Sequence, residues 1–192
     1  GMERNSDIVI MSCYAPLFVN VSKDASGKKA WQWDSDLIGY DALNSYGSPS
    51  YYVQQLFNHY LGNKIVPATF ENVPVQYKPL SSEDSAKGVK AKAIPTLFYA
   101  ATRNDKTGTI YLKMVNTSAK KQSIQINLQA VAGIAPEATM AVVKGNSPDD
   151  TNSITNGKNI IPVITTIQGI KPSFTRVLDP YAVTILEIKT GK

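Results

Sequence analysis

The chain is poor in the residue types that several kinds of chemistry require. Its 192 residues include one cysteine, Cys13, and one histidine, His59. A single thiol forms no internal disulfide and no cysteine zinc site. It fits an exported protein and a cytosolic one alike. Serine–histidine or cysteine–histidine catalysis would have to recruit His59, and imidazole metal centres need more than one ring. Arginine is also scarce. The net charge is +5, but seventeen of the twenty basic residues are lysines, leaving Arg4, Arg103 and Arg176 to supply the planar fork that reads bases and phosphates. Apart from Lys87, Lys90 and Lys92 in one polar loop, the lysines are scattered, which is the pattern of a solubility device. Nucleic acid is therefore not an expected partner. Apolar runs extend over only a few residues, so no helical membrane span is expected. The sequence contains no phosphate-binding glycine loop and no low-complexity tract.

The chain does have two halves of different character. Residues 1–65 hold ten of the seventeen aromatics, both tryptophans and no threonine, with eight valines and isoleucines. Residues 66–192 hold 38 Val, Ile and Thr, the mark of strand-rich sequence. Pro67 and Pro74 flank the change, and a domain boundary is expected there. In the second part Thr109–Val115 alternates, with Ile110, Leu112 and Met114 on one face. Ser123–Leu128 alternates too, placing Ile124, Ile126 and Leu128 inward. Leu97–Thr102 precedes a hairpin loop at Arg103–Gly108, and further strands are expected at 139–144, 159–167, 174–178 and 181–188. The polar stretch Gly145–Ser153 has the composition of a connection between sheets. Short antiparallel strands without long helices predict a mainly β fold, a jelly-roll-like β-sandwich over 66–192.

Residues 1–65 predict a strand, a long loop and a helix. Ile8–Cys13 is continuously apolar, as in a strand buried on both faces, and would make Cys13 a small buried hydrophobe. Val53, Leu56, Phe57, Tyr60 and Leu61 have helical spacing, with Ser48 as N-cap, Pro49 in the first turn and Gly62 at the C-terminal stop. One strand and one helix cannot bury each other's faces. This part is therefore expected to be the last βα unit of a larger body, and the chain a fragment of it.

Trp31–Asp41 is the densest mix of aromatics and carboxylates. Rings stack on sugar faces and carboxylates bind hydroxyls, so a carbohydrate-lining loop is one reading. Packing of the rings onto the fold, with the aspartates as turn formers, is the other. Glycoside hydrolysis needs two carboxylates. The five glutamates are Glu3, Glu71, Glu83, Glu137 and Glu187, and none follows an apolar strand as a barrel catalytic residue would. Asp34, Asp36 and Asp41 share one loop without an evident pairing. His59 reads as a structural histidine, and Asn20-Val-Ser22 and Asn116-Thr-Ser118 fit glycosylation sequons.

Several motifs together resemble the end of an α-L-arabinofuranosidase of glycoside hydrolase family 51. They are Met2–Asp7, Tyr14–Asn20, Trp33 with Asp36-Leu-Ile38, Pro49–Gln54 with Leu56-Phe57, Asn152-Ser153 with Pro162, and Leu178–Leu186. The resemblance implies a retaining exo-glycosidase that removes terminal α-L-arabinofuranosyl groups from arabinose-containing polysaccharides, without a metal or cofactor. It implies a (β/α)₈ barrel beside a jelly-roll sandwich, this chain supplying the last barrel unit at 1–65 and the sandwich at 66–192. The family's acid/base glutamate follows an asparagine on an earlier barrel strand, and its nucleophile lies on a strand before the last one. No Asn-Glu pair occurs here, so no catalytic residue is expected in this chain. By position, Asn20, Trp31 and Trp33 are the expected contributors to a sugar-binding wall. The missing barrel is then the main partner, and the apolar surface it leaves bare should drive self-association. The competing class is a free-standing carbohydrate-binding or interaction sandwich. Against it, the seven aromatics of the second part are spread over its whole length rather than gathered into a platform.

Overall fold

The computed structural model of the chain describes residues 1–30, 37–77 and 81–191. A 3₁₀ turn (Glu3–Asn5) comes first, then β1 (Phe18–Asn20), β2 (Ile38–Tyr40), β3 (Ser45–Gly47) and α1 (Pro49–His59). β4 (Lys64–Ile65), β5 (Val75–Tyr77), α2 (Ser82–Ala86) and β6 (Ala93–Pro95) follow. The remaining strands are β7 (Leu97–Asn104), β8 (Thr109–Asn116), β9 (Gln122–Asn127), β10 (Glu137–Lys144), β11 (Val163–Gln168), β12 (Ser173–Leu178) and β13 (Ala182–Ile188). No helix among the described residues is long and apolar enough to cross a membrane.

The fold is mainly β, and the second half is the sandwich its composition predicts. A six-stranded antiparallel sheet in the order β11-β10-β13-β8-β7-β4 faces the pair β12-β9. Alternation decides which side chains meet. Ile110 and Met114 of β8, Leu186 and Ile188 of β13 and Ala138 of β10 pack against Ile126 of β9 and Phe174 and Leu178 of β12. Leu112, Ile124 and Leu128 join this core, as their spacing predicts. Each buried aliphatic side chain contributes about 1.5–3 kcal/mol. A one-residue slip in register would turn every one of them outward.

The other face of the large sheet is covered too. Leu56 of α1 and Tyr60, its C-cap, lie with Ala141 and Val143 of β10, Ile185 of β13 and Ile160 in a second core. The Ser48 hydroxyl caps α1 by accepting from the Tyr51 N–H at 3.2 Å, and Pro49 opens the first turn. The helix ends at His59, with Tyr60 N–H donating to Leu56, and Leu61 is exposed. Gly62 serves a different purpose from the expected helix stop. It runs against the backbone of Arg103, where a Cβ would lie 2.5 Å from the carbonyl carbon, so only glycine lets the chain pass into β4. β4 extends the edge of the sandwich sheet by pairing Lys64 and Ile65 with Arg103 and Thr102.

Three further expectations fail. Ile8–Cys13 is an irregular, solvent-exposed stretch, with Ile10 94% exposed, and Cys13 is exposed with it. A strand buried on both faces needs neighbours at both edges, and among the described residues nothing pairs with this one. The strand expected at 159–167 begins only at Val163. Ile160 is tied instead into the preceding loop, donating its N–H to the Asn152 side chain at 2.7 Å, and Pro162 removes a ladder donor. Finally, the connection from Gly145 joins β10 to its own neighbour β11 rather than crossing between sheets. It folds over the helix-covered face, where Asn152, itself buried, donates to the carbonyls of Gly47 and Ile160, each at 2.8 Å.

Candidate functional site

The candidate site grows from the small sheet β1-β2-β3. β1 and β2 run parallel, with Phe18, Val19 and Asn20 opposite Ile38, Gly39 and Tyr40. Val19 and Gly39 are buried, and a Cβ at Gly39 would fall 2.4 Å from the Tyr46 ring, which would have to move aside. Asn20 and Tyr40 therefore end adjacent strands at the same side, the carboxyl end of a parallel pair. That is the end at which barrel enzymes place their substrates.

Asn20 is exposed, and its side-chain oxygen accepts the Ser22 N–H at 2.9 Å. This turn sends the chain into a small loop closed by Ala30 N–H to Ser22 C=O at 3.0 Å. Asp24 organises the loop, accepting the Ser26 hydroxyl at 2.6 Å and the Lys28 N–H at 2.9 Å. Led by the Ser26 hydroxyl, these bonds hold its carboxyl below the usual range. Asp41 does the same after β2: N–H groups of Leu43 and Asn44 bind its carboxylate at 2.8 and 2.7 Å and lower its pKa. Both are ionised turn formers, the reverse of a general acid, whose proton must be held to higher pH. Phe18, at the amino end of β1, meets Tyr40 edge-on at 6.4 Å, and both rings are exposed. Trp31 and Trp33, like Asp34 and Asp36, lie outside the described residues, so of the three expected wall residues Asn20 is the one whose position is given.

Four of the five glutamates have identified neighbours. Glu3 pairs with Lys113, Glu83 with Lys87 at 2.6 Å, and Glu137 accepts from Gln168 at 3.0 Å. Glu187 lies opposite Tyr111, where it and, more strongly, burial push the Tyr111 and Tyr60 hydroxyls above their usual range. His59 packs edge-on against Tyr60 at 4.8 Å. Among the described residues no group of three His, Cys, Asp or Glu side chains is placed to hold a metal ion. Asn116, in the second sequon, is buried and binds the carbonyls of Lys120 and Asp179 at 2.8 and 2.9 Å, so it is a structural knot. The sandwich carries an open groove of about 420 Å³ lined by Met140, Val142, Lys144, Asn146, Ile161 and Val163. It offers no aromatic stacking surface. Sequence reading missed Lys113, a buried charge on β8. The signal was nonlocal: Ile185 on the adjacent β13 and Ala141 and Val143 on β10 beyond it show that this face of the sheet is apolar.

Comparison with known proteins gives one consistent result. Residues 1–182 match the family described as the α-L-arabinofuranosidase C-terminal domain. α-L-Arabinofuranosidase A of Aspergillus kawachii is 30% identical over 97% of this chain and 24% of its own length. α-L-Arabinofuranosidase 1 of Arabidopsis thaliana is 26% identical over 98% of this chain and 24% of its own. An arabinose-bound family 51 α-L-arabinofuranosidase superposes with a TM-score of 0.78 at 26% identity, covering 99% of this chain and 26% of that one. The Thermotoga maritima enzyme, at 16% identity and a TM-score of 0.74, shares the fold. The chain spans about a quarter of the length of the curated relatives it matches.

Proposed function

Since the chain belongs to the α-L-arabinofuranosidase C-terminal domain family, we propose that it is the supporting end of a retaining exo-glycosidase. That enzyme would release terminal α-L-arabinofuranosyl groups from arabinose-containing polysaccharides. The relatives are about four times as long, and on this reading the catalytic carboxylates would lie in a part that precedes the C-terminal domain. Residues 1–65 then complete a barrel, and 66–192 form the sandwich that braces it.

The observation that carries this reading is the mismatch at the start of the chain. Ile8, Ile10, Met11 and Leu17 stand in solvent immediately before a parallel strand pair, although a stretch of such side chains is normally covered. A preceding barrel would cover it and turn Asn20 and Tyr40 toward substrate. In that setting the Asn20 amide would bind a sugar hydroxyl, and Trp31 and Trp33 would be the candidate stacking rings. Among the described residues no carboxylate pair stands on that rim, and the chain alone is expected to be inert.

The test is kinetic. The 192-residue chain should not hydrolyse nitrophenyl α-L-arabinofuranoside, whereas the longer protein containing it should. In the longer protein Asn20→Ala and Trp33→Ala should raise KM or lower kcat. Turnover by the chain alone would overturn the supporting role, and unchanged kinetics in both variants would remove the proposed sugar wall.

A further inference from the structure

We propose that Lys113 is a docking socket in the sandwich, a buried ammonium that captures the Glu3 carboxylate and so latches the N-terminal turn and the end of α1 to the large sheet. The inference stands on contacts within this chain and is independent of the glycosidase reading.

Lys113 sits in the middle of β8 with 1% of its surface exposed. An ammonium is costly to remove from water, and an aliphatic side chain would fill the same space without that cost. Every interaction of its Nζ leads to another part of the chain. It pairs at short range with the carboxylate of Glu3, 110 residues earlier. It donates to the Phe57 carbonyl at 3.1 Å and lies 4.7 Å from the centre of the Phe57 ring. Because α1 ends at His59, the Phe57 carbonyl is one of the last four in the helix, which have no intrahelical donor. The lysine supplies that donor and places a positive charge at the negative end of the helix. Burial holds the Lys113 pKa below the usual lysine range, with Glu3 acting in the opposite direction.

Arg4 gives independent support. Its guanidinium lies 5.5 Å over the ring of Tyr99 on β7. Tyr99 is paired with Met114, whereas Lys113 is paired with Ala100, so Tyr99 and Lys113 project from opposite faces of the sheet. Consecutive residues of one turn thus grip both faces, which requires the turn to pass round the sheet's edge. β7 is open for this because its pairing with β4 ends near Ala101, where Val66 N–H donates to the carbonyl. The turn then leads into the exposed stretch from Ile8, so the socket fixes where that stretch leaves the sandwich.

Hydrogen exchange on the whole chain tests the latch through the Asn5, Ile8 and Val9 amides, which close the turn onto Met2 and Asn5. In the wild type these amides should be protected. In Lys113→Met, which fills the slot without charge, their exchange should accelerate about tenfold or more while β8 and β13 keep wild-type protection. Glu3→Gln, a change in the turn itself, should release the same amides and also loosen the end of α1, because the ammonium loses its carboxylate. Unprotected turn amides in the wild type would overturn the proposal. So would protection that Glu3→Gln leaves intact, and this second variant decides the matter if Lys113→Met does not fold.

Discussion

The two ends of this chain use apolar residues in opposite ways. In the sandwich, strands of six to eight residues bury Met114, Ile185, Leu186 and Ile188 to zero exposure between layers that the chain itself provides. In the first twenty residues Ile8, Ile10 and Met11 are no less apolar, yet they stand in solvent beside strands of three residues. Hydrophobicity is equal in the two places, and cover is not. The difference teaches that the chain covers the apolar residues of the sandwich itself, whereas it leaves those of its N-terminal part exposed. Between them sit two polar fastenings, Lys113 with Glu3 and Asn152 with the Gly47 carbonyl.

The sharpest way to break this comparison is to truncate one side chain in each region. Leu186→Ala empties a site at the middle of the core and should cost about 2–5 kcal/mol in denaturant unfolding. Ile10→Ala should change stability by less than about 0.5 kcal/mol, because the side chain touches almost only water. A large loss at Ile10 would mean that the N-terminal stretch is already packed in this chain.

A smaller effect separates the fastening from the core. A lysine with a depressed folded-state pKa leaves the unfolded chain the stronger proton binder between that value and 10.5. Stability should therefore rise with pH through this window. The other titratable groups on this face are Glu3, Glu187, Tyr60 and Tyr111. Both tyrosines are raised, chiefly by burial, so they stabilise the fold below 10.0 and lose that contribution as pH climbs through their folded-state values. Unfolding midpoints should thus climb toward about pH 10 and then fall. Lys113→Met should abolish the climb and keep the fall. A climb that survives in Lys113→Met would assign it to another group.

Much of the sandwich was legible because its information is local. Alternation in Thr109–Val115 and Ser123–Leu128 named the inward residues, and Ser48-Pro49 marked the start of α1. What could not be read depends on partners distant in sequence. Tyr111 and Lys113 have the composition of a solvent-facing side, and only α1 and the apolar residues of β10 and β13 reveal that they are covered. Ile8–Cys13 has the composition of a buried strand, but composition cannot supply the neighbours a strand needs. Gly62 fits a helix stop by position, and the close passage of Arg103 explains it instead. At the candidate site, the turn-forming role of Asp41 was among the readings its sequence allowed, and the exposure of Asn20 at a strand end became visible only with the register of β1 and β2.

The central claim is that this chain braces a catalytic body that precedes it, and the most direct test is to read the coding sequence upstream of Met2. The account predicts an open frame continuing for a barrel's length. It should contain an Asn-Glu pair after an apolar strand and a second glutamate at a later strand end, as family 51 requires. A start codon at Met2 with no frame before it would contradict the account and leave a sandwich that works alone.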